Sequence, residues 1–458
     1  MINLFEFQNK VDYFDSFDEL EEFLDIIWKQ RDKNNYFQDF YTVESDTQKF
    51  LKIFRKTKQI KSNKYVGVIY FQDQKINLLP KIFFNENKKY TESEILQIQN
   101  HLLWYLSYCR KIKFPSYLAK LGASSDNFLE IIIFAFSKYT HNLLNSLIFQ
   151  QFSEFQSNTS FIKGKVNFNN YVTENISKAN FHKVSCVCDE YDINNEFNRI
   201  VKYVCNLLFS FTQNSDSKKY LSQILFILHE VGDEKASAEQ CKKFTFNPFF
   251  SNFDVVRDYC ELFLTNCISY DYKNSLKLFA FLLPMDYIYE DFIYGFIKKE
   301  LPAVDIQSQK SNTFLDEGGT FNLKPDLFLR LGRRVLIADT KYKSVFGNQM
   351  DAKNGMSQND LYQMLAYAVR FKVDIILLFY PNTILSNKLQ ESRIIIKDAL
   401  AHNHEISVFA YQLPLIEFEL LRNDHIQSVL ITDLFSNLRS QLQNRLGDIF
   451  YSFTVADI

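Results

Sequence analysis

One predicted hairpin, residues 324–342, constrains the fold of this chain more than any other segment. Residues 335–338 are apolar and Asp339 follows them directly, so the sequence predicts a buried strand that ends in a charge. A turn at residues 332–333 would fold this strand back on the one before it. Antiparallel pairing on either side of that turn places Asp326 opposite Asp339. The hairpin is therefore predicted to bring two carboxylates face to face.

The residues around this acid pair favour metal-dependent phosphodiester hydrolysis. Two carboxylates that face each other across a hairpin repel by up to about 1 kcal/mol unless a cation lies between them. Strand periodicity places Lys341 on the same face as Asp339, where its ammonium could orient a water or stabilise charge on a phosphate. Carboxylate oxygens suit hard cations, so Mg²⁺ or Mn²⁺ is the expected cofactor. We predict Asp326, Asp339 and Lys341 as catalytic residues.

The helix predicted before the hairpin, residues 285–301, offers a third acid. At 100° per residue Glu290 falls beside Ile293 and Ile297, whereas Asp291 falls near Lys298 on the polar side. We predict that Glu290 joins Asp326 and Asp339 as a metal ligand. The alternative is a glutamate at the helix edge that reaches water.

A helix predicted after the hairpin, residues 359–370, places Gln363 and Tyr367 one above the other on one face. An amide and a phenol at this spacing could hold a backbone phosphate or the water shell of a metal. Both are therefore predicted as auxiliary contacts to DNA phosphates. The alternative for Tyr367 is a packed side chain with no direct role.

The chain is long enough for two or three domains, and its pattern predicts an α/β protein. Residues 1–160 are predicted as a mixed α/β domain that docks a partner, with helices over 92–111 and 127–155. Residues 161–270 are predicted as a connecting, mostly helical region. Residues 271–458 alternate helix and strand, which predicts a mixed sheet flanked by helices and carrying the nuclease site.

Composition restricts the setting in which this chain acts. The formal net charge of −2 excludes a generally basic surface, so DNA contact is expected to be local or supplied by a partner. Seven cysteines without a C-x-x-C pair, no apparent signal peptide and no apolar run fit to span a membrane predict a cytoplasmic protein. No cysteine follows Cys267, which argues against an iron–sulfur cluster around the nuclease fold.

Glu290, Pro325-Asp326, Asp339-Thr340-Lys341 and the pair Gln363 and Tyr367, in this order, resemble the PD-(D/E)xK nuclease superfamily and its RecB-like members. Further motifs resemble McrC, the nuclease subunit of modified-cytosine restriction systems, over roughly residues 65–367. These motifs are YVGVI at residues 65–69, INLLPKI at 76–82, KGKVNF at 163–168 and DEYDINNEFNRI at 189–200.

The resemblance implies that the C-terminal region cuts DNA as an endonuclease in phage defence. It also implies that the N-terminal region docks onto a ring of an McrB-like AAA+ GTPase and stimulates its hydrolysis, while the partner recognises the modified base. The chain has no G-x-x-x-x-G-K-[ST] loop, so energy for translocation would come from that partner.

Two other functions are compatible with the sequence. A nuclease-like fold without catalysis could act as an adaptor between a motor and another effector. A stand-alone RecB-like nuclease would digest DNA from its ends without any added NTPase.

Overall fold

The computed structural model describes residues 2–13, 17–30, 50–71, 74–110, 128–272, 276–308, 313–332, 334–345, 356–386, 388–398, 404–422 and 431–454. Helices and sheets are both present, and the predicted α/β class is confirmed. The chain forms two compact units, one from Met1–Ile131 with Asn266–Ile458 and the other from Ile132–Thr265. The division by role into docking, connecting and nuclease regions stays a prediction.

The strands are β1 (Ile2–Phe5), β2 (Lys10–Asp12), β3 (Leu51–Phe54), β4 (Gln59–Ser62), β5 (Tyr65–Phe71), β6 (Gln74–Leu79), β7 (Gln151–Thr159), β8 (Lys165–Val166), β9 (Val184–Asp192), β10 (Cys267–Tyr272), β11 (Leu276–Pro284), β12 (Asp305–Ser308), β13 (Thr313–Phe314), β14 (Asn322–Leu323), β15 (Leu327–Leu331), β16 (Arg334–Thr340), β17 (Ile375–Pro381), β18 (Glu391–Asp398) and β19 (His404–Leu413).

The α-helices are α1 (Phe17–Gln30), α2 (Glu92–Leu106), α3 (Phe128–Ser146), α4 (Phe168–Asn170), α5 (Glu196–Phe211), α6 (Ser215–Ile227), α7 (Ala238–Lys242), α8 (Phe253–Asn266), α9 (Met285–Glu300), α10 (Gln358–Phe371), α11 (Ile431–Leu434) and α12 (Ser436–Thr454). Short 3₁₀ segments occur at Lys81–Phe83, Pro248–Phe250 and Leu420–Arg422, and a π-helical turn at Tyr171–Ile176. Within the described residues, no helix combines the length and apolarity needed to cross a membrane.

The first sheet of the larger unit has the strand order β1-β6-β5-β11-β10. Its strand β11 comes from far along the chain and pairs antiparallel with β5. At Gly67 the two backbones approach so closely that an added Cβ would lie 2.0 Å from the carbonyl oxygen of Phe281, and its φ is +136°. Only glycine fits this position. The segment that leads into α9 is therefore built into the sheet formed by the start of the chain.

The second sheet of this unit has the order β12-β15-β16-β17-β19-β18. Strands β16, β17 and β19 run parallel, and the outer pairs are antiparallel. The predicted mixed sheet in the C-terminal part is present. Helix α10 connects β16 to β17 and packs Met364 and Tyr367 against Ile337 and Ile376 in one apolar core.

The smaller unit holds a three-stranded sheet of order β7-β9-β8 and helices that include α5, α6 and α8. The helix predicted over residues 127–155 is wrong in its last part, since α3 ends at Ser146 and β7 begins at Gln151. Residues 151–159 contain several Ser, Asn and Thr residues, which favour helices weakly. Their pairing with β9 along the whole of β7 provides the backbone hydrogen bonds instead.

Candidate active site

The hairpin predicted from the sequence consists of β15 and β16. Leu327 pairs with Ala338 and Leu331 with Arg334, which confirms the predicted register. Gly332 adopts φ +61° in the turn, a conformation that glycine tolerates, and Arg333 lies outside the described residues. One step beyond the Leu327 pair, the hairpin ends in the two acids.

The two acids at the end of the hairpin have different surroundings. The backbone N–H and the hydroxyl of Thr340 both donate to Asp326 Oδ2, at 2.7 Å each. Asp339 is fully buried, and no donor among the described residues lies within hydrogen-bond distance of its Oδ1, although the nearby backbone N–H of Asp326 lowers its pKa. Its Oδ2 lies 2.5 Å from Lys341 Nζ. Asp339 therefore keeps one buried oxygen without a donor, which is uncommon for an ionisable group.

Burial is the main cause that raises the pKa of both carboxyls. For Asp326 the charge of Asp339 adds to this effect, whereas Lys341 lowers the pKa of both acids. The second negative charge is disfavoured because two buried carboxylates repel each other. A cation placed at this pair would relieve that repulsion.

A chain of hydrogen bonds connects Lys341 to the start of the hairpin. Lys341 Nζ donates to Gln363 Oε1 at 3.0 Å, and Gln363 Nε2 donates to the Tyr367 hydroxyl at 2.7 Å. The Tyr367 hydroxyl donates in turn to the backbone oxygen of Lys324 at 3.0 Å. Helix α10 carries both middle residues, and its N-terminus is capped by the Ser357 side chain. Gln363 and Tyr367 thus fix the direction of the lysine.

Helix α9 is buried on all sides from Tyr287 to Ile297, and Glu290 and Asp291 are both buried. The prediction that Asp291 lies on a polar side is wrong. Its carboxylate accepts from the backbone N–H and from Nε of Arg110, each at 2.7 Å. The physical reason is that α2 and the residues after it cover this face of α9, which periodicity within one helix cannot show.

Glu290 lies on the side of α9 that faces the site. Burial is the main cause that raises the pKa of Tyr367. The charges of Asp339, Asp326 and Glu290 raise it further, in that order. The three predicted acids therefore all lie within electrostatic reach of one phenol. Among the described residues, however, no three His, Cys, Asp or Glu side chains are close enough to form a metal-holding group. Asp326 and Asp339 are close enough for the charge of one to act on the other, and Glu290 does not complete a three-acid group with them.

This arrangement fits a hard divalent cation. Mg²⁺ is commonly held by one or two carboxylates, with water and substrate phosphate completing its shell. The buried, unpaired Asp339 Oδ1 and the adjacent Asp326 offer such oxygen ligands. The donor set contains oxygen and no sulfur, which also suits Mn²⁺.

Two contributors to the site were not predicted. Lys343 Nζ lies 2.8 Å from both carboxylate oxygens of Asp360, which is buried. Asp360 precedes Gln363 by three residues, and this helical spacing could have placed it on the same face. Thr340 is the other contributor, and its two hydrogen bonds orient Asp326. Nothing in the sequence indicates that role.

Residues 60–381 match the family model described as McrBC 5-methylcytosine restriction system component. A chain in a refined half-complex of Thermococcus gammatolerans McrB AAA+ hexamers with bound McrC is similar in fold, with a TM-score of 0.67 at 16% identity. The similarity covers 98% of this chain and 99% of that one.

A second solved structure, the McrBC complex of the same organism, contains a chain that matches with a TM-score of 0.49 at 16% identity. It covers 66% of this chain and 88% of that one. A search of curated proteins finds no significant match to this chain.

Proposed function

This chain belongs to the McrBC 5-methylcytosine restriction system component family, and from that premise we propose that it is the McrC-type, DNA-cutting subunit of a cytoplasmic restriction system. The family predicted from the sequence motifs is thereby confirmed. The observation that carries the nuclease proposal is the proximity of Asp326 and Asp339, one step beyond the Leu327–Ala338 pair, with Lys341 Nζ in contact with Asp339.

The reaction proposed for this site is hydrolysis of a DNA phosphodiester. A divalent cation bound here would screen the phosphate charge and lower the pKa of the attacking water. Asp326 and Asp339 would hold that cation, with Glu290 as the proposed third acid. Thr340 keeps Asp326 oriented toward the site through its two hydrogen bonds.

Lys341 is proposed to stabilise the negative charge that develops on the phosphate. Its side chain is mostly buried, where a fixed ammonium acts more strongly than it would in water. Gln363 holds the ammonium from the other side, and Tyr367 holds Gln363. The lysine is therefore oriented before DNA arrives, which reduces reorganisation during the reaction.

The proposal is tested by cleavage of methylated DNA with the full chain, Mg²⁺, an McrB-type AAA+ partner and nucleotide. We expect the wild-type chain to cut, and Asp339→Ala and Lys341→Ala to abolish cutting while the NTPase rate of the partner stays stimulated. Full cleavage by both variants would overturn the site assignment. End-dependent digestion by the chain alone would indicate a stand-alone nuclease instead.

We also propose that the partner is an AAA+ NTPase ring, as in the McrB–McrC assembly that this fold resembles. A surface of the smaller unit, the aromatic lobe, is defined by β7, β8, β9 and the residues that connect these three strands. It exposes the rings of Phe152, Phe161, Phe168 and Phe181, by 62 to 75%. Exposed aromatic side chains grouped in this way commonly mark a protein interface. The family match covers residues 60–381 and therefore includes this lobe.

The docking proposal is tested by Phe168→Ser combined with Phe181→Ser. We expect this variant to lose stimulation of the partner NTPase and to elute separately from it. The matched control is Phe226→Ser, which removes an equally exposed ring from α6 in the same unit. Equal stimulation by the lobe variant and the wild type would overturn the lobe as the docking surface.

A further inference from the structure

Lys81 lies beside the catalytic segment although it belongs to the N-terminal part of the chain. It opens the 3₁₀ segment that follows β6. Its ammonium is 4.3 Å from the centroid of the Tyr342 ring, and Tyr342 directly follows Lys341. The first sheet thus places a positive charge next to the end of the catalytic hairpin.

Lys81 is held in place by contacts that leave its ammonium available. Its backbone N–H donates to Glu6 Oε2 at 3.2 Å, and its ammonium also lies 5.8 Å from the ring of Phe7. Two ring contacts orient a lysine without using its N–H donors. Within the part of the chain that the structure describes, the Lys81 ammonium donates no hydrogen bond and forms no ion pair.

The charges around Asp286 show that Lys81 belongs to a larger basic group. Asp286 lies in the first turn of α9, one turn before Glu290, and its side chain is open to solvent. Partial burial raises the pKa of Asp286, and the charges of four lysines lower it. From the strongest to the weakest effect, these are Lys81, Lys64, Lys343 and Lys341. Lysines from both sheets therefore converge at a solvent-accessible position beside the site.

Two members of this basic group have carboxylate partners within it. Lys341 pairs with Asp339, and Lys343 pairs with Asp360. Lys81 has no such partner, so its charge remains for an anion that arrives from solution. DNA carries one phosphate charge for about every 1.7 Å of duplex axis, and lysines are common ligands of those phosphates.

We propose that Lys81 binds a DNA backbone phosphate next to the one that is cut, so that the N-terminal sheet helps to place the substrate in the nuclease site. This inference rests on the proposed function, because it takes DNA as the substrate. It adds a DNA-binding residue that lies far from the nuclease motifs in the sequence. It also explains how a chain of near-neutral net charge can hold DNA locally.

The competing role for Lys81 is structural. Glu6 is fully buried, burial raises its pKa to about 8, and the charge of Lys81 opposes that rise. If Lys81 served only to balance Glu6, removal of both charges would restore normal behaviour. If Lys81 binds phosphate, its loss must weaken DNA binding whether or not Glu6 is charged. Substitution of Lys81 in a Glu6→Gln background separates these two roles and avoids a buried, unbalanced carboxylate.

The experiment measures affinity of the full chain for a short DNA duplex over a range of salt concentrations, with Ca²⁺ in place of Mg²⁺ to limit cleavage. Loss of one phosphate contact reduces the slope of log affinity against log salt by about 1. We expect this reduction for Lys81→Gln in both the wild-type and Glu6→Gln backgrounds, and a normal slope for Lys81→Arg. The matched control is Lys75→Gln, because Lys75 lies in β6 near Glu130 and Glu92.

Cleavage with Mg²⁺ is measured in parallel on the same variants. An unchanged salt slope for Lys81→Gln, in a chain that binds and cuts DNA, would overturn this inference and leave the proposed function intact. Restoration of wild-type binding by the double variant would assign Lys81 to the structural role. A wild-type chain that neither binds nor cuts DNA, with its partner present, would overturn both proposals.

Discussion

Asp291 and Asp339 are both buried acids in the larger unit, but their surroundings differ. Asp291 on α9 accepts two hydrogen bonds from Arg110, whereas Asp339 on β16 keeps an oxygen without a donor and faces a second acid. A buried carboxylate that is paired supports the structure, and its loss weakens the fold. A buried carboxylate that faces a second acid and keeps one oxygen without a donor destabilises the fold even beside a lysine, and this favours a bound cation. The comparison separates an acid with a structural partner from the acid that we propose as a metal ligand.

The largest difference between these regions should appear in the free energy of unfolding. Arg110→Gln leaves Asp291 buried without its counter-charge and should lower this free energy by about 3 kcal/mol. Asp339→Asn removes a like-charge repulsion and should leave it unchanged or raise it. Urea unfolding of both variants is the measurement. Equal destabilisation by the two substitutions would contradict the distinction between the acids.

The position of α9 provides a second test on the structural side. A Cβ at Gly295 would lie 1.8 Å from the backbone oxygen of Tyr108. The close packing of α9 against the residues just after α2 therefore requires a glycine at this position. Gly295→Ala should lower the free energy of unfolding by about 1 to 3 kcal/mol. Gly447 in α12 has open space around it, and Gly447→Ala should raise stability by about 0.5 to 1 kcal/mol. Thermal unfolding measures both, and the same sign for both would refute the close approach.

A smaller effect is expected on the functional side from Gln363→Ala. This change removes the contact that orients Lys341 and should reduce DNA cleavage by about 10- to 100-fold with little change in stability. Val369→Ala, at an exposed position on the same helix, should cleave like the wild type. Steady-state cleavage rates distinguish the outcomes. A rate for Gln363→Ala within the error of the control would show that Lys341 needs no such support.

The smallest effect concerns pH and Mg²⁺. Asp326 and Asp339 have raised pKa values in the folded chain, so the folded state binds more protons than the unfolded one, and stability falls as pH rises from the unfolded toward the folded values. A cation at the pair should offset this loss, by about 1.4 kcal/mol when Mg²⁺ is at ten times its dissociation constant.

Thermal unfolding with and without Mg²⁺ at several pH values measures that effect. The gain should be larger at pH values above the folded pKa values than in acid, where the pair is protonated, and Asp339→Asn should abolish it. A gain of the same size at every pH, or in the variant, would place Mg²⁺ elsewhere.

The hairpin was predictable because its information is local. Three local features determine which of its residues face each other: the alternation of side chains along each strand, the glycine in the turn, and the number of residues from the turn to each acid. The observed register agrees with that prediction. The spacing of Gln363 and Tyr367 likewise predicted one helix face. Their contact with each other and with Lys341 required only that α10 pack over the strand it follows.

Other features depended on contacts distant in sequence. Asp291 became buried because Arg110, far from it in the chain, lies against α9. The pairing of β11 with β5 joins segments that the pattern of elements predicts to lie in different domains. The same assembly of sheets brings Lys81 beside Tyr342. Periodicity within one element cannot predict contacts between elements that are distant in sequence.

The most direct test of the central claim is Mn²⁺ binding, measured by calorimetry on the full chain. The claim is that the two acids at the end of the hairpin hold a divalent cation. We expect the wild-type chain to bind Mn²⁺, and Asp326→Asn and Asp339→Asn each to lose that binding. Asp316→Asn, at an exposed loop carboxylate that accepts backbone N–H groups, should bind like the wild type. Undiminished Mn²⁺ binding by both hairpin variants would contradict the account.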